Sequence, residues 1–242
     1  MCSIGLLKHE DHWLLFKNRD RAVEEKNRTN YIEITDDAIL FKDKKMPGAW
    51  LGINKHGLGI ATAWSSVIST PRNKPKENFE IIERILKETK TAAQAKDAYP
   101  PYAQDIGRSY NLIIADQKRA YEIEQIRSIV HIAQHKANVM KTNHFEHLKV
   151  YNLEGPRYDD SKSRLRKLKE LVHNVKKPED LFHVLSYHSE LNKSESICRR
   201  SEYETVASAI ISIKGSDVTV YYALNEEPTT NNFKIKKWKL GS

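Results

Sequence analysis

The chain has 242 residues, 39% of them hydrophobic and 30% charged, with a formal net charge of +8. That length supports one large domain with a sizeable core. With a mean hydropathy of −0.65 and no apolar run near the ~20 residues that span a bilayer, the composition excludes a helical membrane protein. Lysines and arginines are interspersed with acids rather than gathered in an arm, so the charge reads as a hydrated surface before it reads as nucleic-acid binding.

CSIGLL and WLLFKN predict two strands around the polar turn HEDH. AILF, WLGIN and GLGIATAW predict three more, with Pro47-Gly48 and His56-Gly57 as turns. SVISTPRNKPKEN predicts a loop, and NFEIIERILKE sets Phe79, Ile82, Ile85 and Leu86 at helical spacing. Thr91-Ala92-Ala93-Gln94 fits a capping box opening a second helix, expected to end before Pro100-Pro101. YNLIIAD, AYEIEQI, SIVHIAQ and NVMKTN predict a four-stranded antiparallel meander. SKSRLRKLKELVHNV carries Leu165, Leu168, Leu171, Val172 and Val175 on one stripe, and PEDLFHVLSYHS opens another helix with Pro178 at its first position. ETVASAIISI, the Lys214-Gly215 turn, DVTVYYAL and NFKIKKW return to strand, and the alternation in KIKKWK predicts one buried face.

No Gly/Ser linker divides the chain, so a single domain over residues 1–242 is expected. Strands and helices in this order suit an α+β fold in which two antiparallel sheets pack together with helix layers outside. His9, Glu10, Asp11 and His12 interrupt the first apolar stretch, which is therefore no secretory signal. Two cysteines far apart make no disulfide framework, and a reducing cytoplasm is the expected location.

Cys2 directly follows the initiator methionine. If Met1 is trimmed, one residue carries a thiol and a free α-amine. A thiol attacks as thiolate, with an ordinary pKa of about 8.5. An α-amine, with a pKa of about 7.7–8.0, is partly unprotonated near neutrality and can take the thiol proton. Other constellations are weaker. The pairs His131/His135 and His144/His147 lack the cysteine pair or HExxH that would mark a zinc site, and no phosphate-binding glycine loop is present. Cys198 lies among basic residues, in ICRR, and reads as structural.

MCSI, KNRD and WLGINKHGLGIA resemble the start of the cysteine-type N-terminal nucleophile hydrolases. These include the choloylglycine hydrolases, the penicillin V acylases and acyl-CoA:6-aminopenicillanate acyltransferase. The NRD tripeptide also resembles the family named for its NRDE motif. NLIIADQKRAYEIE, VMKTNHF, SKSRLRKL, SICRRSEYETVASAII and VYYALNEEP continue the likeness in the same order.

The resemblance implies a four-layer αββα sandwich with no cofactor. It makes Cys2 the nucleophile and its amine the base. Asp20 would hold the amine or thiol, Asn143 would bind the oxyanion or orient the amine, and Arg164 would favour the thiolate. Lys17, Arg19, Trp64, Ser65 and His144 would line the substrate site, with segments 65–78 and 99–109 shaping it. Lys17 stands where the bile-salt branch has an arginine, and Trp64 stands where an oxyanion asparagine is common. Ser65 or a backbone N–H would then supply the second donor. The implied reaction is hydrolysis or acyl transfer on a linear amide through a thioester. The implied partner is a small-molecule amide, without membrane or nucleic acid, and with homo-oligomers left open. The alternatives are a non-hydrolytic or ligand-binding member of the same fold, and a basic RNA- or phosphate-binding protein.

Overall fold

The computed structural model describes residues 2–23, 29–65, 78–103 and 109–241. Met1 and most of the two segments expected to shape the pocket (66–77 and 104–108) lie outside these residues. The chain opens with the hairpin β1 (Cys2–Lys8) and β2 (Trp13–Ala22). β3 (Asn30–Ile34), β4 (Ala38–Asp43), β5 (Met46–Asn54) and β6 (Gly59–Trp64) follow, then α1 (Asn78–Glu88) and α2 (Ala92–Ala103). Next come β7 (Ser109–Ala115), β8 (Ala120–Ile126), β9 (Ile129–His135) and β10 (Val139–Lys141), then α3 (Pro156–Leu171) and α4 (Asp180–Leu185). β11 (Tyr203–Lys214), β12 (Asp217–Leu224) and β13 (Lys234–Lys239) close the chain.

Two antiparallel sheets result. One has the order β10-β1-β2-β11-β12-β13 and the other runs β3 to β9 in sequence. Alternation along each strand decides which face meets which layer. On β1 and β2, Cys2, Ile4, Leu6, Trp13 and Leu15 join the core between the sheets. Leu7, Leu14 and Phe16 join a second core with Leu165, Leu168, Val172, Val175, Leu181 and Leu185 from the α3–α4 layer. α1 and α2 cover the outer face of the seven-stranded sheet, with Phe79, Ile82, Ile85, Ala95 and Tyr99 buried there. This is the expected αββα sandwich. Among the described residues, no helix is long and apolar enough to cross a membrane.

Close approaches fix the opening hairpin and the start of α1. Gly5 lies opposite Phe16, whose ring would sit 2.2 Å from an added Cβ. Gly48, at φ 83°, brings the Phe79 backbone within 2.1 Å of where its Cβ would be, so α1 starts against β5. The predicted capping box forms: Thr91 Oγ1 accepts from Gln94 N at 3.2 Å, and Gln94 Oε1 accepts from Thr91 N at 3.2 Å.

Six local expectations change. β3 was not predicted from NYIEI. Pro47-Gly48 lies within β5, because the β4–β5 turn falls at Lys44-Lys45. α2 runs through Pro100 and Pro101, since Tyr99 and Ala103 continue the buried stripe of Ala92 and Ala95. β10 leaves the predicted meander and pairs with β1 in the other sheet. Pro178 precedes α4 rather than opening it: its carbonyl accepts from Leu181 N, and Asp180 instead caps Lys176 N and Lys177 N. β13 is an edge strand with Ile235 58% exposed and only Trp238 reaching the core, so its lysines guard an edge rather than alternate over a buried face.

Candidate active site

Cys2 starts the strand at the centre of the first hairpin, and its thiol is buried in the inter-sheet core. The backbone nitrogen of Cys2 donates to Asn143 Oδ1 at 3.0 Å. Arg164 Nη2 donates to the same oxygen at 2.6 Å. Asn143 follows β10, which is why the crossing of β10 into the first sheet matters: it delivers Asn143 to the end of β1. Arg164 comes from α3 and is fully buried. Asn143 is itself held. Its N–H donates to Ser161 Oγ at 2.8 Å, its carbonyl accepts the Ser65 hydroxyl at 3.0 Å, and its side-chain Nδ2 donates to the Trp64 carbonyl.

The NRD tripeptide divides by strand alternation. Asn18 faces the helix layer, where its Nδ2 bonds the Leu185 and Ile197 carbonyls at 2.8 and 3.1 Å. Asp20 is buried and accepts the Thr205 hydroxyl at 2.7 Å through Oδ1. Its Oδ2 is buried without a hydrogen-bond partner among the described residues. Arg19 points the other way, directly across from Cys2 in the β1–β2 register. Lys17, two residues earlier on the same face, reaches the opposite sheet. Its Nζ donates to the Thr62 carbonyl and, at 3.4 Å, to that of Trp50.

Burial works against ionisation of the Cys2 thiol. The Lys17 ammonium opposes it, as does a hydrogen bond from the Asp20 backbone, and the net result is a pKa below the ordinary thiol value. Burial lowers Lys17 to about 7 against the pull of the thiol, with Arg19 and Arg21 adding repulsion. Cys198 differs: burial, with Glu227 and Asp20 nearby, pushes its thiol up to about 12. The two cysteines are therefore chemically distinct: their surroundings favour the thiolate at Cys2 and disfavour it at Cys198.

The remaining expected residues take different places. Trp64 is 39% exposed at the rim, and only its carbonyl enters the site. Both Ser65 donors are engaged, the hydroxyl on Asn143 O and the N–H on Ser109 O at 2.8 Å, so neither serves as the second oxyanion donor in this conformation. His144 turns toward α3, with Nδ1 2.9 Å from Ser161 Oγ and its ring edge-on to Tyr158. Burial drops His144 to about 4, leaving it neutral near pH 7. Among the described residues no three His, Cys, Asp or Glu side chains are placed to hold a metal ion. His131 instead stacks on His147, and His135 pairs with Glu122 at 2.9 Å.

Residues 7–227 match the family described as acyl-coenzyme A:6-aminopenicillanic acid acyl-transferase. The chain belongs to this family. Its members and structural relatives are N-terminal nucleophile amidases and acyltransferases, and the sandwich is the fold they share. A cysteine-to-alanine variant of the conjugated bile acid hydrolase of Clostridium perfringens superposes with a TM-score of 0.65 at 12% identity, over 99% of this chain and 92% of that one. The Caenorhabditis elegans orthologue of N-acylethanolamine-hydrolyzing acid amidase gives 0.61 at 16% identity, over 87% and 92%. No curated protein matches by sequence at a significant level.

Sequence reasoning missed Ser161 and Thr205. Ser161 Oγ contacts Asn143 N, Thr142 Oγ1 and His144 Nδ1, and so anchors the loop after β10. One signal was available. Ser161 lies three residues before Arg164, which puts both on one helix face. Thr205 had no such signal, because the bulge that turns it toward Asp20 is visible only in the β2–β11 pairing.

Proposed function

We propose that this acyltransferase-family chain is an amide hydrolase or acyl transferase whose nucleophile is Cys2, freed as the N-terminal residue by loss of Met1. One observation carries the reading. The nitrogen of Cys2, as well as its sulfur, is organised: it meets Asn143 Oδ1 at 3.0 Å, and Arg164 grips that oxygen from behind. A buried structural cysteine needs no such arrangement around its main chain.

In the proposed reaction the thiol passes its proton to the α-amine, and the thiolate attacks the amide carbonyl carbon. Asn143 Nδ2 keeps a second hydrogen for the oxyanion, and Asp20 Oδ2 supplies a carboxylate for the ammonium. The C–N bond breaks as the ammonium returns its proton to the leaving nitrogen. Water, or an acceptor amine, then attacks the thioester and restores the thiol. The substrate is a small linear amide.

Intact mass of the natively produced protein, followed by iodoacetamide labelling and peptide mapping, tests this. Loss of Met1 and one fast adduct on Cys2, with Cys198 untouched, are expected. Retention of Met1 or a preference for Cys198 rejects the proposal. The engaged donors of Ser65 favour a second reading, a ligand-binding member with weak or no turnover. That reading predicts the same adduct but no acyl-Cys2 species by mass spectrometry with any panel amide.

A further inference from the structure

Asn143 lies on the segment that leaves β10, yet the seven-stranded sheet holds that segment through two side chains that the proposed chemistry does not use. Asn111 of β7 is fully buried. Its Nδ2 donates to the Thr142 carbonyl at 2.9 Å and to the His144 carbonyl at 3.0 Å, the carbonyls on either side of Asn143. An amide nitrogen has two hydrogens, so both are engaged. Glu124 of β8, also fully buried, stands directly across from Asn111 in the β7–β8 register, which puts the two side chains on one face. Its Oε1 accepts from Glu146 N at 2.5 Å and Lys141 Nζ at 2.6 Å. Its Oε2 accepts from His147 N at 2.9 Å and Leu148 N at 2.7 Å.

The two side chains divide the segment by polarity: Asn111 takes carbonyls, and Glu124 takes N–H groups. Around Asn143 itself, side chains from three elements hold the main chain. Asn111 binds the flanking carbonyls, Ser161 accepts the Asn143 N–H, and the Ser65 hydroxyl donates to the Asn143 carbonyl. Asn111 Oδ1, by contrast, is buried with no hydrogen-bond partner among the described residues. An unmet buried acceptor lowers stability, so an amide kept for the fold alone would engage both of its ends. This one keeps its donors beside Asn143 and leaves its acceptor unmet.

We infer that Asn111 is a positioning residue for the Cys2 site: it fixes the peptide groups on both sides of Asn143 and so sets where Asn143 Nδ2 meets the oxyanion. Glu124 secures the rest of the segment. The inference rests on the reading of Cys2 as the nucleophile and of Asn143 as an oxyanion donor. Asn111 acts through Asn143, from a strand of the sheet that does not carry Cys2. A rigid strand is a better reference than a loop for such a donor, because a misplacement of about 1 Å can slow a reaction on the order of a hundredfold. Ser161 and Ser65 still hold Asn143 when Asn111 is lost, so the effect expected of Asn111 is smaller than that.

Two reagents that ask different things of the site test it. p-Nitrophenyl acetate is attacked at a carbonyl carbon and passes through an oxyanion, whereas iodoacetamide loses iodide from a saturated carbon and forms none. Rates of Cys2 acetylation and alkylation are measured on folded protein and on a peptide with a free N-terminal cysteine, with the background of Cys2→Ala subtracted. Their ratio cancels the thiolate fraction. The wild-type ratio should exceed that of the peptide and fall to the peptide value in Asn143→Ala. Asn111→Ala is expected to lower it about tenfold, and Asn111→Ser, which keeps one donor hydrogen, about threefold. Asn54 is the control, because its Nδ2 makes the same pair of bonds, to the Leu86 carbonyl at 2.8 Å and the Thr89 carbonyl at 2.7 Å, at the end of α1. Asn54→Ala should lower the melting temperature and leave the ratio at the wild-type value. An unchanged ratio in Asn111→Ala, an equal fall in Asn54→Ala, or failure of both Asn111 variants to fold overturns the positioning role and leaves the nucleophile standing. A peptide-like ratio in the wild type removes Asn143 as the oxyanion donor, and the inference with it. Absence of any Cys2 adduct with either reagent overturns the nucleophile itself.

Discussion

Lys17 and Lys141 sit on strands of the same sheet, and both are buried, at 1% and 0% exposure. Their surroundings drive them in opposite directions. Lys141 Nζ meets Glu122 at 2.7 Å, Glu124 at 2.6 Å and Glu146 at 3.1 Å. Burial pushes it down, but those carboxylates overcome the cost and hold its pKa above the ordinary value. Lys17 donates to two carbonyls and feels the charge of Cys2, and burial takes it to about 7. A buried cation with a full set of counter-charges is a clamp. One without them lends its charge to whatever anion forms beside it, and in the proposed reaction that anion is the Cys2 thiolate.

The predictions separate clamp from reactive centre. Cys2→Ala removes the proposed reaction altogether, with amide turnover falling on the order of 10⁴-fold or more. Its thermal unfolding stays near that of the wild type, since a small buried side chain is replaced by another. A large loss of stability with turnover retained would contradict the assignment of Cys2.

Lys141→Met leaves Glu122 and Glu124 buried without their cation, and the expected loss is about 3–5 kcal/mol in denaturant unfolding. Ser161→Ala removes a hydroxyl that contacts Asn143 N, Thr142 and His144 and is expected to cost about 1–3 kcal/mol. It also loosens Asn143, so labelling of Cys2 slows more than the stability loss explains.

Lys17→Met has the reverse signature. Stability near neutral pH holds or rises, because an uncompensated buried charge is removed. Cys2 labelling at pH 7 slows about tenfold, because the thiol loses the ammonium that lowers its pKa. The stability slope gives an independent check. Between about 7 and 10.5 the unfolded chain holds the Lys17 proton and the folded chain does not. Lys17 therefore makes stability rise with pH across that window and fall as pH drops through 7. Lys17→Met should flatten this part of the curve, and an unchanged slope would mean that Lys17 keeps its proton. The smallest effect is that of Thr91→Ala, which removes half of the α2 capping box for about 1 kcal/mol and leaves labelling unchanged.

Strand and helix positions in the interior were legible because burial imposes a period. Phe79, Ile82, Ile85 and Leu86 line one face of α1, and CSIGLL splits cleanly between two cores. Cys2, Asp20, Asn143 and Arg164 were legible as a set through ordered short motifs. Their meeting place was not, because it depends on β10 leaving the β7–β9 meander to pair with β1. Three residues of strand carry too little pattern to announce a partner more than a hundred positions away.

By itself, then, the sequence determined the layered α+β class, the apolar faces of its strands and helices and the pairing of a thiol with a potential α-amine at one position, because each depends on local chemistry or periodicity. The tertiary structure alone decided that Ser65 is engaged, that His144 faces α3, that Arg19 faces the thiol, and that Lys17 and Lys141 differ. Those outcomes depend on which charges and donors meet across the sheets, and desolvation makes the identity of each neighbour decisive.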